Sequence, residues 1–166
     1  MFSPTLRFLL VFLTVGAGIR ALMQGHLYGA MFILGGMLLA AGHFLYGSVR
    51  AAFMALKRGN LKRAHQLLHR SPTRWLTAET RAYYHWTAAA LSEARGEIDT
   101  AIEELERALT FPLRTTRDVV LARGTVAALW AKKGNRDKAI AHLDEADALG
   151  PQGEVAGLLA KIRADL

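Results

Sequence analysis

The side chains with chemical reach are few and scattered. His65 and His69 stand four apart, which puts two imidazoles on one helix face at a spacing that can hold a metal. No third ligand of suitable type is near them in sequence, and Arg63 and Arg70 flank them. A solvated helix surface is therefore expected there, and no metal site is assigned. Glu103, Glu104 and Glu106 with Arg107 form an ordinary charged helix face. The absence of cysteine removes disulfides, thiolate metal sites and a cysteine nucleophile. There is no glycine-rich phosphate loop, no nucleophile elbow and no pair of catalytic carboxylates. The pattern does not point to an enzyme, and it implies no cofactor.

The charge is unevenly placed. Residues 1–49 hold Arg7 and Arg20 and no acid. Residues 50–74 hold Arg50, Lys57, Arg58, Lys62, Arg63, Arg70 and Arg74, again with no acid. Residues 75–166 carry all 14 acids against 12 bases, so the net charge of +7 equals that basic stretch. Nucleic-acid binding is not expected, because no recognition motif or aromatic platform accompanies the bases.

Ahead of the bases lie two apolar runs. Residues 8–19, FLLVFLTVGAGI, resume after Arg20 as ALM, and residues 27–47 read LYGAMFILGGMLLAAGHFLYG. A span needs about 20 apolar residues. The second run meets that length, and the first meets it if Arg20 snorkels outward. A cleaved signal peptide is the rival reading of the first run. The expectation is a transmembrane hairpin over residues 1–47, with spans at about 6–23 and 27–47. Arg50, Lys57, Arg58, Lys62 and Arg63 would then contact lipid headgroups, with the N-terminus and the rest of the chain cytoplasmic in a bacterial inner membrane. His43, near the end of the second span, reads as a neutral imidazole bonded to water or to the neighbouring helix. The glycines of both runs allow close helix approach and leave oligomerisation open. No proline separates the second run from SVRAAFMALKR, so one helix is expected to carry both.

Three later segments share one pattern, GNLKRAHQLL, GEIDTAIEEL and GNRDKAIAHL. Their glycines, Gly59, Gly96 and Gly134, are spaced by 37 and then 38 residues. Ala64, Ala101 and Ala139 follow each glycine, then Leu68, Leu105 and Leu143. Ala52, Ala89 and Ala127 precede it. Two antiparallel helices joined by a short turn need a residue free to take unusual backbone angles, and their crossing admits only small side chains. Asn60 and Asn135 can cap the helix that follows, while Glu97 and Asp99 offer charge to its dipole. Thr115 with Asp118 is a further capping signature. Residues 154–166 place Val155, Leu158, Leu159, Ile162 and Leu166 at helical spacing, as an end piece should.

This pattern resembles tetratricopeptide (TPR) repeats, whose usual period is about 34 residues. The small–Gly–Ala–Leu–Ala–Pro series reads Ala127, Gly134, Ala139, Leu143, Ala146 and Pro151 in one copy and Ala89, Gly96, Ala101, Leu105, Ala108 and Pro112 in another. The first copy departs from it at Ser71 and Pro72. The family's tryptophan is replaced by Ser48, His85 and Arg123. The layout is also similar to small bacterial inner-membrane TPR proteins. The resemblance implies an all-α fold: three helix pairs over residues 48–152, an α-solenoid closed by a capping helix at 153–166. It implies partner binding on the concave face of the first helices. The corresponding positions are Tyr83, Trp86, Ala90 and Glu93, then Leu121, Gly124, Ala128 and Lys132, and in the first copy Tyr46, Val49, Phe53 and Leu56. Tyr83, Trp86, Glu93, Leu121 and Lys132 are the residues expected to touch a protein partner. The implied function is a membrane-anchored scaffold or adaptor. The alternative is an accessory subunit of a larger membrane complex, held through its spans.

Overall fold

A computed structural model describes the chain except residues 1–3 and 72, and except the side chains of residues 4–9, 39–47 and 75. The side chains of Arg7, His43 and Tyr46, together with Gly42, Gly47 and Pro72, all part of the sequence readings above, lie outside that set. Every element among the described residues is helical: α1 (Pro4–Met23), α2 (Tyr28–Lys57), α3 (Leu61–His69), a 3-10 turn (Thr73–Trp75), α4 (Ala78–Ala94), α5 (Ile98–Leu109), α6 (Thr116–Lys132), α7 (Arg136–Asp147) and α8 (Glu154–Ala164). The chain forms two compact units, Met1–Ser48 and Val49–Leu166.

In the first unit, α1 and the start of α2 pack through glycines. A Cβ placed on Gly29 would lie 2.5 Å from the Gly18 carbonyl oxygen, and one on Gly36 would lie 2.6 Å from Val15 Cγ2. Gly16 and Gly35 have nothing within 4 Å and take no part in this contact. Ala21 is buried beside the turn, whose Gly25 has φ 80. The outward faces stay apolar: Phe12, Met23, Leu27 and Met31 are each more than 75% exposed, at 77%, 85%, 88% and 76%.

The membrane placement expected from the sequence is corrected here. Among the described residues, no helix is long and apolar enough to cross a membrane. The described apolar run of α1, residues 10–19, is closed by Arg20 well short of the about 20 residues a span requires. The two-span anchor, and the integral bacterial inner-membrane location with cytoplasmic N-terminus and repeats, are not retained.

The second unit is built from helix pairs: the end of α2 with α3, α4 with α5, α6 with α7, and then α8. The three connecting turns have one geometry. Gly59, Gly96 and Gly134 have φ of 74, 81 and 79. The following N–H reaches back five residues: Asn60 to the Ala55 carbonyl (2.9 Å), Glu97 to Ser92 (3.0 Å) and Asn135 to Trp130 (2.9 Å). This is a helix end that only a left-handed residue completes. Asn60 and Asn135 then cap the next helix, accepting from Arg63 N (3.0 Å) and Lys138 N (3.1 Å). Glu97 makes no such bond and contributes charge alone.

The aligned small residues are where the pairs close. Ala52, Ala64, Ala101, Ala127 and Ala139 are fully buried, and Ala89 nearly so. Leu105 and Leu143 fill the adjoining grooves at 0% exposure. Ser71, in place of the second alanine, is buried, and its Oγ donates to the Leu67 carbonyl at 3.0 Å. At two positions where a TPR repeat would carry tryptophan, a base reaches an acid on the second helix: His85 Nδ1 lies 2.8 Å from Glu104 Oε2, and Arg123 pairs with Glu145. The exposed end is closed by α8, which buries Val155 and Leu159 against Val120, Ala127, Leu143 and Ala146. Leu158, expected on the same face, is instead 45% exposed. Arg163 ties α8 to α7 through Asp144 (2.7 Å) and Asp147 (2.8 Å).

Candidate partner-binding face

Tyr83 and Trp86 are three apart on α4 and present one face to Phe53 on α2. The Phe53 ring lies 5.0 Å from that of Tyr83, tilted by 65°, and 5.3 Å from that of Trp86. Tyr83 and Trp86 are near-parallel at 6.2 Å. The Lys57 ammonium sits 5.0 Å from the Phe53 ring centre, within cation–π reach. Phe53 is buried, whereas Tyr83 and Trp86 are half-buried and keep part of their rings on the surface. Trp86 also packs against the cluster of Leu105, Val126 and Leu129. Its ring thus serves the core and the surface together.

The phenol of Tyr83 is committed. It donates to Asp118 Oδ2 on α6 at 2.7 Å and accepts from the backbone N–H of Arg114 at 3.2 Å. Burial, then the bond to Asp118, pushes its pKa up to about 12. The Arg114 guanidinium returns to α4, with Nε 2.7 Å from Glu79 Oε1. A short polar clamp therefore joins the start of α6 to α4.

The remaining expected contacts are shared within the fold. Lys132 donates to Glu93, so these two residues satisfy each other across α4 and α6. Leu121 is half-buried against the α6–α8 cluster. Gly124 is covered by α8: a Cβ there would lie 2.7 Å from Leu159 Cδ2. Val49 is fully buried. The structure thus brings Phe53, Tyr83 and Trp86 together. It places Glu93 with Lys132, and it removes Gly124 and Val49 from the open face.

Sequence reasoning missed the parts of the clamp. Asp118 was legible only as part of a capping signature, in which its N–H donates to Oγ1 of the cap residue Thr115 at 3.1 Å. Arg114 and Glu79 carried no signal, because their link depends on the register between helix pairs. Phe53 and Lys57 stand four apart on one helix, a spacing that could have suggested their contact.

Arg50, Lys57, Arg58, Lys62 and Arg63 are all exposed. Their expected contact with headgroups rested on the membrane placement corrected above. The imidazoles of His65 and His69 stack at 6.3 Å. Among the described residues no group of three or more candidate ligands could hold a metal. Two cavities lie off the aromatic face. One, of about 550 Å³, opens beside Thr116, Arg117, Leu149 and Pro151. The other, of about 260 Å³, lies between α3, α4 and α5. Compared with protein families, with curated proteins and with solved structures, the chain shows no match.

Proposed function

We propose that the 49–166 unit is a TPR-like helical scaffold that binds a protein partner on the face carrying Tyr83 and Trp86. The observation that carries this reading is the half-open aromatic cluster. Two large rings, held rigidly by Phe53 and by the Asp118 clamp, remain partly on the surface. Rigid, amphipathic aromatics offer contact area at low conformational cost and are enriched at interaction hot spots. The repeated turns and buried alanines support a stacked-pair architecture, in which the first helices of successive pairs share one face. Glu93 and Lys132 join the interface as a paired rim, of small individual worth.

The test is co-purification from native extract with the full chain, its Trp86→Ala variant and its Arg136→Ala variant. Arg136 is exposed on α7, away from the cluster. A partner kept by Arg136→Ala and lost by Trp86→Ala supports the reading. A partner kept by both variants refutes it.

A second reading has its own observation. The outward sides of α1 and α2 expose Phe12, Met23, Leu27 and Met31. An accessory subunit held in a larger complex through this hairpin would cover them. Gly35→Leu is the clean probe, because Gly35 meets open space, whereas Gly36→Leu would collide with Val15 inside the hairpin. Loss of a partner on Gly35→Leu, with Trp86→Ala harmless, favours this second reading.

A further inference from the structure

The second helices of successive pairs do not close equally. Between α5 and α7, Glu106 and His142 approach to 4.0 Å. Counted from the turn glycines, the same two positions between α3 and α5 are His69 and Glu104. There the acid and the imidazole have exchanged places, and no hydrogen bond or ion pair joins them. Glu104 turns to His85 instead, at 2.8 Å. In place of a closed contact there is the cleft of about 260 Å³. Its lining is mixed, with an apolar patch from Leu68, Ala88 and Leu91, polar groups from Tyr84, Ser92, Arg95 and Thr100, and an α3 wall of His65 and His69.

The surroundings of that wall are of one sign. Lys62, His65 and His69 recur along one face of α3, and all three are exposed. Arg58, Arg63 and Arg70 are exposed on the same short helix and its leading turn. Among the described residues no carboxylate pairs with Arg58, Lys62, Arg63 or Arg70. The one acid of the cleft, Glu104, is occupied by His85 and lies 3.7 Å from Arg107.

From this juxtaposition we infer that the α3–α5 cleft docks an acidic protein segment bearing a leucine-like side chain. The apolar side chain rests on the patch of Leu68, Ala88 and Leu91. The carboxylates on either side of it rest against Lys62 and the bases of α3. The cleft selects this occupant over the other polyanions. A phosphodiester backbone or a layer of headgroups meets exposed bases equally well, but presents no isolated apolar side chain to cover the patch of Leu68, Ala88 and Leu91. The site is separate from the Tyr83–Trp86 face, and its failure would leave that reading standing.

The test is fluorescence anisotropy with the full chain and a fluorescein-labelled peptide of alternating aspartate and leucine. Saturable binding is expected, weakened as salt rises. It should weaken about tenfold or more in the Lys62→Glu/His69→Glu variant, as removing opposed charge at a docking site does. Thr100→Trp, at an exposed position on the α5 side of the cleft, should block entry with a similar loss. Arg136→Glu should bind like the wild type. Circular dichroism of each variant confirms that the helices are intact. The inference is overturned if no saturable binding is seen, or if Thr100→Trp binds unchanged. It is equally overturned if a serine-for-leucine peptide binds as well, or if duplex DNA or anionic vesicles displace the peptide at lower concentration than the unlabelled peptide does.

Discussion

The Tyr83 hydroxyl lies 2.7 Å from the Asp118 carboxylate, and the Asp118 N–H lies 3.1 Å from Thr115 Oγ1. Thr115 thus caps α6 through the Asp118 N–H, while the Asp118 carboxylate anchors α4. Tyr83→Phe keeps the ring against Phe53 and Trp86 but leaves Asp118 and the Arg114 N–H without the phenol. The expected loss is about 1 kcal/mol of stability, read from urea unfolding. The phenol also gives alkaline stability a definite window. Its proton is held up to about 12 in the fold, against 10.0 ordinarily. The unfolded chain therefore releases it first as pH rises. This contribution is complete below pH 10 and is lost between 10 and about 12. Tyr83→Phe should lack that part of the alkaline decline. An identical decline in both proteins would show that another group governs it.

Much of the second unit was legible because its signals are local. A glycine with φ near 80 and an asparagine that caps the next turn act within six residues of one another, so they leave a readable spacing. The buried alanines were legible for the same reason: helix crossings recur at fixed distance from the turn. The clamp was not legible. Tyr83 and Asp118 belong to different pairs, and their meeting depends on the angle between those pairs, which no short spacing encodes. The same holds for Glu93 with Lys132, two residues assigned to a partner that in fact bond to each other. In the hairpin, glycine richness was readable but the division of labour was not. Only the packed helices show that Gly18, Gly29 and Gly36 form the contact while Gly16 and Gly35 do not. Apolar composition suggested two spans, yet among the described residues no helix is long and apolar enough to cross a membrane.

That division of labour gives a paired prediction. At Gly29 a methyl group would meet the Gly18 carbonyl oxygen at 2.5 Å and Leu22 N at 2.8 Å. Both are backbone atoms that cannot swing aside, so Gly29→Ala must part the helices, at a cost of about 1–3 kcal/mol. Gly35→Ala meets nothing and should be neutral or slightly favourable through helix propensity. The absence of cysteine makes the measurement direct. Spin labels at Leu13→Cys and Leu34→Cys, both exposed sites, report the α1–α2 distance. It should lengthen in Gly29→Ala and stay fixed in Gly35→Ala. Equal distances in all three proteins would refute the glycine contact.

Glycine-to-alanine changes in the second unit should differ in sign. Gly134 turns the chain at φ 79, where a Cβ is strained whatever space surrounds it. Gly134→Ala is expected to cost about 1 kcal/mol. Gly157 lies exposed inside α8, and a Cβ there would meet nothing within 4 Å. Gly157→Ala should stabilise by up to about 1 kcal/mol, because alanine favours the helix interior. Thermal unfolding of the two variants beside the wild type decides the matter. A loss at Gly157 as large as that at Gly134 would contradict the account of the turn.

His142 gives the same unit a pH dependence on the acid side. Its Nδ1 is buried without a hydrogen-bond partner among the described residues, and its Nε2 lies 4.0 Å from Glu106 Oε1. Burial lowers its pKa below the ordinary 6.5, Arg123 and Lys138 lower it further, and Glu106 opposes them. The fold therefore resists protonation that the unfolded chain accepts. Its share of stability is complete above pH 6.5 and declines as pH falls below that value. His142→Leu should flatten this part of a urea-midpoint profile. Glu106→Gln should do the reverse. Without the opposing carboxylate the imidazole is harder still to protonate in the fold, so the decline below pH 6.5 becomes larger. Profiles for His142→Leu and Glu106→Gln that move in the same direction would show that the two side chains do not act on each other across α5 and α7.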